Sequence, residues 1–316
     1  MCALEKIRPG FYSVAPQPCS AYALKHHSAA FRSHYDLTLS KSLIALMGKC
    51  YYYNIIYKNK RKRVANMKYV RVLYNHEIYF GSLEDDQVDL FSGTIFGDYT
   101  KTDIAAPLSQ VKLLSPCVPS KALCIGLNYQ DHAEEFNLPL PKYPVVFIKP
   151  TSSVIGPLDN IIYPSMSHRV DYEAELGVVI KREAKNISEE DAKDYILGFT
   201  CANDVTARDL QPAQGQWTVS KSFDTFLPLG PVITDETDGR NLEIQCRLNG
   251  KVMQKSNTGN LIFKVDYLVS YLSKVMTLNP GDVIITGTPS GISPMKSGDV
   301  VEVEIENIGI LKNFIK

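Results

Sequence analysis

The side chains with the clearest chemical potential are carboxylates in and after the segment Val170–Ile180, whose last residues are apolar. If this segment is a β-strand, Glu173 and Glu175 point to one face about 7 Å apart, and Asp171 shares that face. Like charges beside a core repel each other and lose hydration, which is costly unless a cation compensates them. Asp204, at the end of another apolar run, adds a third carboxylate. Oxygen ligands of this kind indicate a hard divalent cation such as Mg²⁺, Mn²⁺ or Ca²⁺.

The competing interpretation is an exposed strand face that carries acidic residues, as many edge strands do. The two glutamates alone favour this solvated face. Asp204 and the polar residues around it, Thr206, Arg208 and Asp209, bring the two interpretations to near parity. Residue types alone therefore leave both the metal site and the solvated face open.

The elements that must position these residues are mostly short strands. Residues 68–73 and 77–81 predict a hairpin joined at residues 74–76, and residues 121–127 open the main domain. Asn249-Gly250 predicts a second hairpin, because a type I′ turn needs positive φ at both central residues. The further predicted strands are Val145–Ile148, Tyr172–Ile180, Phe199–Val205, Leu242–Leu248, Val283–Thr286 and Val300–Ile305.

Two helices are predicted. Ser188 and Asp191 have the spacing of a capping box, and Gly198 would end the helix that they begin. Residues 264–276 carry apolar residues at helical spacing and predict an amphipathic helix. Many strands and few helices in irregular order predict an α+β, β-rich fold rather than a doubly wound α/β fold.

Charge divides the 316-residue chain into unlike parts. Residues 1–66 hold 11 Lys and Arg against two acidic residues, so the segment carries +9 and residues 67–316 carry −9. We predict a basic extension, disordered or non-native, over residues 1–66, a small β-rich lobe over 67–118 and the catalytic domain over 119–316. The alternatives for the extension are a mitochondrial transit peptide and a tail that binds nucleic acid or anionic lipid through its basic cluster, Lys58–Arg63.

Composition argues against several classes of protein. The 34 basic and 34 acidic residues balance, so no global field favours nucleic acid or a membrane, and no apolar run is long enough to span a bilayer. The seven cysteines are odd in number without C-x-x-C spacing, which predicts free thiols and a cytoplasmic location. Cys124 and Cys201 lie in apolar runs and should be buried. Glycine motifs for nucleotides are missing from the sequence.

Six separated motifs occur in order across the last two thirds of the chain. They are Gly126–Glu135, Phe147–Pro150, Asp171–Leu176, Asn203–Gln211, Ser220–Asp224 and Thr286–Gly291. Each motif is weak alone, but the ordered set is specific. In this set the sequence resembles the fumarylacetoacetate hydrolase family, especially its small acylpyruvase-like branch.

The resemblance implies a mixed β-sheet roll, a homodimer, a small 2-oxo acid substrate and one Mg²⁺ or Mn²⁺ per subunit. Glu173, Glu175 and Asp204 match the family's metal ligands. His132 and Glu135 match a lid dyad in which the glutamate orients the histidine as a base that activates water. Their three-residue spacing places both on one face of a helical turn. The alternative for His132 is a surface histidine on a polar helix.

The resemblance also implies roles for residues around the metal. Lys221 matches a lysine that stabilises an enolate or a carboxylate, and a lysine in an apolar run needs an acidic partner or a lowered pKa. Arg208 and Gln211 match substrate-contacting positions. Gly287 and Thr288 match a loop that receives a substrate carboxylate.

Two departures from the family bear on the substrate. Ile125 stands where larger fumarylacetoacetases have a further metal-binding Asp, and residues 67–116 are too short for their N-terminal barrel. We therefore expect a metal-dependent hydrolase that cleaves a C–C bond in 2,4-dioxo acids through an enolate. The alternative is an isomerase or decarboxylase of hydroxymuconate or hydroxyheptadienedioate type, or an oxaloacetate decarboxylase or tautomerase.

A non-catalytic binding protein is disfavoured, because every residue matched to the metal ligands and to the lysine of the family is present. Lys149 either approaches the site or is simply a strand-end lysine, and it is left out of the candidate site. Trp217 is interpreted as a packing residue.

Overall fold

The computed structural model describes residues 67–130 and 140–316, which form three β-sheets and two α-helices. Strand pairs of both directions occur, so the predicted β-rich α+β fold with mixed sheets is confirmed. The strands are β1 Lys68–Tyr74, β2 Glu77–Glu84, β3 Gln87–Gly93, β4 Tyr99–Pro107, β5 Lys112–Leu113, β6 Ala122–Gly126, β7 Val145–Lys149, β8 Val154–Ile155, β9 Asn160–Ile161, β10 Val170–Asp171, β11 Ala174–Ile180, β12 Ile196–Asn203, β13 Thr206–Ala207, β14 Leu227–Thr234, β15 Glu243–Leu248, β16 Lys251–Asn257, β17 Val283–Ile285, β18 Pro294–Met295, β19 Val300–Ile305 and β20 Gly309–Ile315.

The largest sheet has the strand order β4-β3-β2-β1-β14-β12-β11-β17-β6-β7, with β5 added to β1 and β8 to β14. Its first four strands come from the predicted N-terminal lobe. Lys68 and Tyr69 of β1 pair with Thr234 and Ile233 of β14. The strands that precede residue 118 therefore continue the sheet that carries β11 and β12.

Two smaller sheets complete the described structure, with orders β13-β10-β18 and β16-β15-β19-β20-β9. The predicted hairpin at Asn249-Gly250 is confirmed, since both residues have positive φ and the flanking Leu248 and Lys251 pair. The three-stranded sheet pairs Val170 with both Ala207 and Met295. Its strand β10 lies directly before β11 in the chain and therefore fixes where β11 begins.

The helix predicted over residues 264–276 is confirmed as α2, Val265–Val275, and α1 is the single turn Thr218–Lys221. The helix predicted from Ser188 to Gly198 is wrong. Ser188 does bond Asp191, but one 3-10 turn follows, Ala192–Tyr195, and Gly198 lies inside β12. Pairing of β12 with β11 and β14 supplies the backbone partners that a helix would otherwise provide, so tertiary context overrides the local capping signal.

The main core contains apolar residues from all three sheets and from α2. Val70, Met295, Ile305 and Leu268 represent these four contributions. Cys124 and Cys201 are buried free thiols, as predicted. Neither described range contains a helix with the length and hydropathy needed to cross a membrane.

Candidate active site

The acidic residues meet where two neighbouring strands of the large sheet break. Glu173 lies between β10 and β11, and Asp204 lies between β12 and β13. Antiparallel pairing of β11 with β12 sets Ala174 opposite Asn203, which brings the two breaks side by side. The Asp204 amide donates to the Glu173 carbonyl at 2.9 Å, and the Glu173 amide donates to the Asn203 side chain at 2.9 Å. The predicted continuous strand Tyr172–Ile180 is thus wrong at its start, because β10 pairs in a different sheet.

The carboxylates of Glu173, Glu175 and Asp204 form one cluster, here called the acidic triad. One oxygen from each lies within 4.8 Å of the others. All three side chains are buried. The solvated-face interpretation is therefore wrong, and charges held together in the interior require cations.

Lys221, on α1, supplies one of these cations. Its Nζ donates to Glu173 Oε2 at 2.8 Å and to Asp204 Oδ2 at 2.6 Å. Burial opposes the charge on Lys221, but Asp204 and Glu173 outweigh burial and raise its pKa. The lysine in an apolar run has therefore found acidic partners, and it bridges two members of the triad.

Lys149, the last residue of β7, supplies a second cation that sequence reasoning left out of the candidate site. Its Nζ donates to Asp204 Oδ1 at 2.5 Å and to the Val205 carbonyl at 2.9 Å, and the side chain has no solvent exposure. Burial and the nearby Lys221 lower the pKa of Lys149, while Asp204 opposes this shift. A sequence signal did exist: a strand that is otherwise apolar ends in a lysine within one of the six motifs.

The two glutamates of the triad have opposite electrostatic environments. Burial would raise the pKa of Glu173, but the Lys221 and Arg208 cations in contact with it lower that pKa to about 2. Burial raises the pKa of Glu175 well above its ordinary value, and the charges of Asp204 and Glu173 raise it further. Glu175 contacts neither arginine nor lysine through the hydrogen bonds of the described residues. The charge of an ionised Glu175 is therefore not compensated by a hydrogen-bonded cation among the described residues.

Arg208 is held by three side chains at once. Its Nε donates to Asp171 Oδ2 at 2.8 Å, its Nη1 to Gln211 Oε1, and its Nη2 to Glu173 Oε1. Asp171, expected to share the face of the glutamates, is fully buried and turned toward the guanidinium groups of Arg208 and Arg169. The contacts of Arg208 orient Glu173, while Asp171 balances its charge.

Gly287 and Thr288 follow β17 and close the other side of the triad. The Gly287 amide donates to Glu175 Oε2 at 2.7 Å, and the Thr288 hydroxyl accepts from Gln254 Nε2 at 2.8 Å. Gly287 has φ of +99°, and a Cβ there would lie 2.8 Å from the Asn128 Cβ. The position therefore requires glycine for both backbone conformation and space.

A cavity of about 570 Å³ opens over Glu173, Asp204 and Lys221. Trp217, at the N-terminus of α1, forms part of its wall and packs edge-on against Phe147 with ring centroids 5.4 Å apart. A Cβ on Gly126 would lie 2.4 Å from the Trp217 ring, so the missing side chain makes room for the indole. The cavity is lined by Gly126, Leu127, Arg169, Glu173, Asp204, Arg208, Gln211, Pro212, Ala213, Trp217, Lys221, Thr288 and Ile292.

The model of the family described as fumarylacetoacetate (FAA) hydrolase C-terminal matches residues 121–316, which is more than half of the chain. The chain belongs to the fumarylacetoacetate hydrolase family. A second model, described as Rv2993c-like, N-terminal, matches residues 67–116.

Relatives and solved structures similar to this chain include three that match 65% to 79% of its length. An uncharacterised protein of Archaeoglobus fulgidus is 57% identical over 244 residues, 77% of this chain and 94% of that protein. The mitochondrial oxaloacetate tautomerase fahd2 of Xenopus laevis is 47% identical over 218 residues, 65% of this chain and 68% of that protein. The solved structure of the 2-hydroxyhepta-2,4-diene-1,7-dioate isomerase of Mycobacterium marinum has a TM-score of 0.74 at 39% identity, covering 79% of this chain and 98% of that chain.

The acidic triad fits the divalent metal that enzymes of the fumarylacetoacetate hydrolase family commonly use. Its donors are carboxylate oxygens, which suit a hard cation, and they are close enough for one ion to reach all three. Burial and the charges of Asp204 and Glu173 raise the pKa of Glu175, and a cation at the triad would offset both effects. Glu173, Glu175 and Asp204 would hold the ion.

The family's lid dyad, His132 and Glu135, falls on residues that lie outside the described ranges. Tyr129 and Gln130, just before them, are the last described residues of that motif. The catalytic assignment of both residues therefore stays a prediction.

Proposed function

We propose that this member of the fumarylacetoacetate hydrolase family is a metal-dependent tautomerase of oxaloacetate and similar 2-oxo acids. The observation that carries the proposal is the buried acidic triad, in which Lys221 bridges Glu173 and Asp204 and these three residues line the cavity. The choice among reactions is supported by relatives named oxaloacetate tautomerase and by a structural neighbour named as an isomerase. These names favour the alternative over the expected hydrolase.

The chemistry is a proton transfer with no change in composition. A C3–H bond of the keto acid breaks, the C2 oxygen gains a proton, and the enol results. A Mg²⁺ or Mn²⁺ ion at the triad would supply Lewis acidity toward the 2-oxo carboxylate end of the substrate. Lys221 places an ammonium group beside the same end, where it stabilises negative charge on the developing enolate oxygen.

Other residues prepare the site for this step. Lys149 bonds Asp204 and Arg208 bonds Glu173, so that the carboxylates need not reorganise when charge develops. Trp217, packed against Phe147, covers part of the wall with aromatic surface and reduces access of water. For His132 and Glu135, the role of a dyad that activates water rests on the family resemblance alone, and tautomerisation does not require that role.

The test is an activity panel on the full chain with Mg²⁺ or Mn²⁺. Oxaloacetate enol–keto conversion, oxaloacetate decarboxylation and acetylpyruvate hydrolysis are measured under the same conditions. We expect tautomerisation to be accelerated most, with loss of the rate when the metal is chelated. Rapid acetylpyruvate cleavage with no tautomerisation would overturn the proposal in favour of the hydrolase.

The hydrolase remains the second candidate, because His132 and Glu135 match residues that activate water. The variant His132→Ala separates the two reactions. Hydrolysis requires an activated water, so His132→Ala should reduce acetylpyruvate cleavage far more than oxaloacetate enolisation. Equal losses would contradict the water-activating role of His132.

The assembly and the compartment also stay proposals. The family resemblance implies a homodimer, which sedimentation of the full chain would test. Animal relatives are named as mitochondrial proteins, which supports the transit-peptide hypothesis for residues 1–66. Cleavage of that segment during import into isolated mitochondria would be the corresponding test.

A further inference from the structure

Two arginines line the cavity, and they differ in how many of their guanidinium nitrogens already donate hydrogen bonds. All three guanidinium nitrogens of Arg208 donate to side chains. Arg169 uses only Nε and Nη2, which donate to the two oxygens of Asp171 at 3.0 and 3.2 Å. Within the described ranges no hydrogen bond involves its Nη1, and its side chain is 49% exposed. Arg169 therefore has donors left for a ligand, and Arg208 has few.

The backbone of Arg169 is held on both sides. Its amide donates to the Ser167 hydroxyl at 3.2 Å, and its carbonyl accepts from the Arg208 amide at 2.8 Å. Asp209 fixes the turn before it, accepting from the Ser167 hydroxyl at 2.5 Å and the His168 amide at 2.8 Å. Hydrogen bonds thus fix the segment that carries Arg169. Asp171 accepts hydrogen bonds from one edge of the Arg169 guanidinium.

Among the described residues, the charges around the triad and the cavity balance when all four carboxylates are ionised. The four cations are Lys149, Lys221, Arg169 and Arg208, and the four carboxylates are Asp171, Glu173, Glu175 and Asp204. A divalent ion at the triad leaves two excess positive charges. A substrate with two carboxylates neutralises both, whereas a substrate with one carboxylate neutralises half of the excess.

We propose that Arg169 binds the second carboxylate of the substrate and so makes the site selective for 2-oxo dicarboxylates over 2-oxo monocarboxylates. The inference rests on the proposed function, because the triad and Lys221 must take the 2-oxo carboxylate end. The free edge of a guanidinium suits a carboxylate, since its N–H donors match the two oxygens. Breaking the hydrogen bonds between Asp171 and Arg169 would cost free energy, because Asp171 is fully buried and would lose a partner.

The test compares oxaloacetate with pyruvate, which is oxaloacetate without its second carboxylate. Trp217 is the single tryptophan of the chain and lines the cavity, so its fluorescence reports binding without depending on turnover. The full chain, loaded with Mg²⁺, is titrated with each acid by stopped-flow fluorescence and by calorimetry. The variants are Arg169→Met and Arg169→Lys. The control is Arg182→Met, since Arg182 stacks on Tyr195 away from the cavity lining.

We expect Arg169→Met to raise the Kd for oxaloacetate about tenfold while the Kd for pyruvate changes less than about twofold. Arg169→Lys should give an intermediate loss, because the charge remains and the two-donor fork is gone. Arg182→Met should bind both acids as the wild type does. An unchanged Kd for oxaloacetate, or an equal weakening of both acids, would overturn the assignment.

Failure of the proposed function gives a different result. If the wild type binds oxaloacetate in preference to pyruvate, and Arg169→Met removes that preference, the inference stands even without tautomerase activity. If tautomerisation is present but Arg169→Met keeps the preference, the function stands and the inference fails.

Discussion

Lys149 and Asp204 form an ion pair closed to solvent, with Nζ 2.5 Å from Oδ1 and side-chain exposures of 0% and 1%. Lys221 holds the other oxygen of the same carboxylate at 2.6 Å. Each oxygen of the Asp204 carboxylate is therefore paired with a lysine, and the orientation of this carboxylate in the acidic triad does not depend on a ligand. A buried pair of this kind is costly to break from one side, because the remaining charge has no partner.

Replacing Lys149 should show this cost. We expect Lys149→Met to lower the free energy of unfolding of the metal-free protein by about 3 kcal/mol, measured by urea denaturation in EDTA. The control is Lys101→Met, which breaks a Lys–Asp contact of similar length, 2.6 Å to Asp89, where the lysine is 63% exposed. The control should lose less than about 1 kcal/mol. Similar losses in both variants would contradict the importance of burial.

Removing a triad carboxylate should abolish the response to metal. We expect saturating Mg²⁺ or Mn²⁺ to raise the Tm of the wild type by roughly 5–10 °C at about one hundred times Kd. Glu173→Ala and Asp204→Ala should show no such rise and no tautomerisation. Glu190→Ala, at an exposed position, is the matched control. A full metal response in both triad variants would place the ion elsewhere.

Glu175 should make the metal-free protein less stable as pH rises. Its pKa is raised in the folded state by burial and by Asp204, while the unfolded chain ionises near its ordinary value, about 4.3. Above that value the folded protein retains a proton that the unfolded chain has lost, so stability falls as pH rises toward the raised pKa.

The variant Glu175→Gln should remove this contribution while keeping an oxygen to accept from the Gly287 amide. In EDTA, its Tm should fall less between about pH 5 and about pH 8 than that of the wild type. Glu183→Gln, at an exposed position, should keep the wild-type slope. Parallel curves for wild type and Glu175→Gln would contradict the raised pKa.

Filling the space beside Trp217 should alter the cavity with little effect on the core. In Gly126→Ala, the new Cβ would lie 2.4 Å from the indole, so the ring must move. We expect kcat/KM for oxaloacetate to fall about tenfold or more, with a shift of the Trp217 emission maximum. The control is Gly97→Ala, whose Cβ would meet a single atom at 3.4 Å. If the emission maximum shifts while kcat/KM stays unchanged, the part of the cavity wall formed by Trp217 does not affect turnover of the substrate.

A chain that begins at Met67 should fold and turn over substrate. Met67 donates its amide to the Asp235 carboxylate at 2.7 Å, and β1 begins immediately after it. Deletion of residues 1–66 should therefore leave the Tm and kcat within error of the full chain, provided that residues 67–316 contain the whole fold. An insoluble or inactive truncation would refute the proposed boundary.

Several elements were predictable because their signals are local. The hairpin at Asn249-Gly250 follows from two residues that accept positive φ, and α2 follows from a stripe whose Leu268, Val269 and Leu272 are buried. The Ser188 capping signal was equally local and misleading, since β12 takes Gly198 into the sheet. Local rules therefore succeeded where no long-range pairing competed with them.

The sequence by itself determined the chemical types at the site: three carboxylates in two motifs, a lysine in a third, and the family to which their order belongs. Tertiary structure decided the partners. Lys149 meets Asp204, 55 positions away, and Asp171 meets Arg208, 37 positions away. The second contact arises from the pairing of β10 with β13, while the first joins the end of β7 to the end of β12, with three strands of the large sheet between them. Charge and spacing along a chain do not specify which strands pair, so which cation holds which carboxylate emerges only when the sheets form.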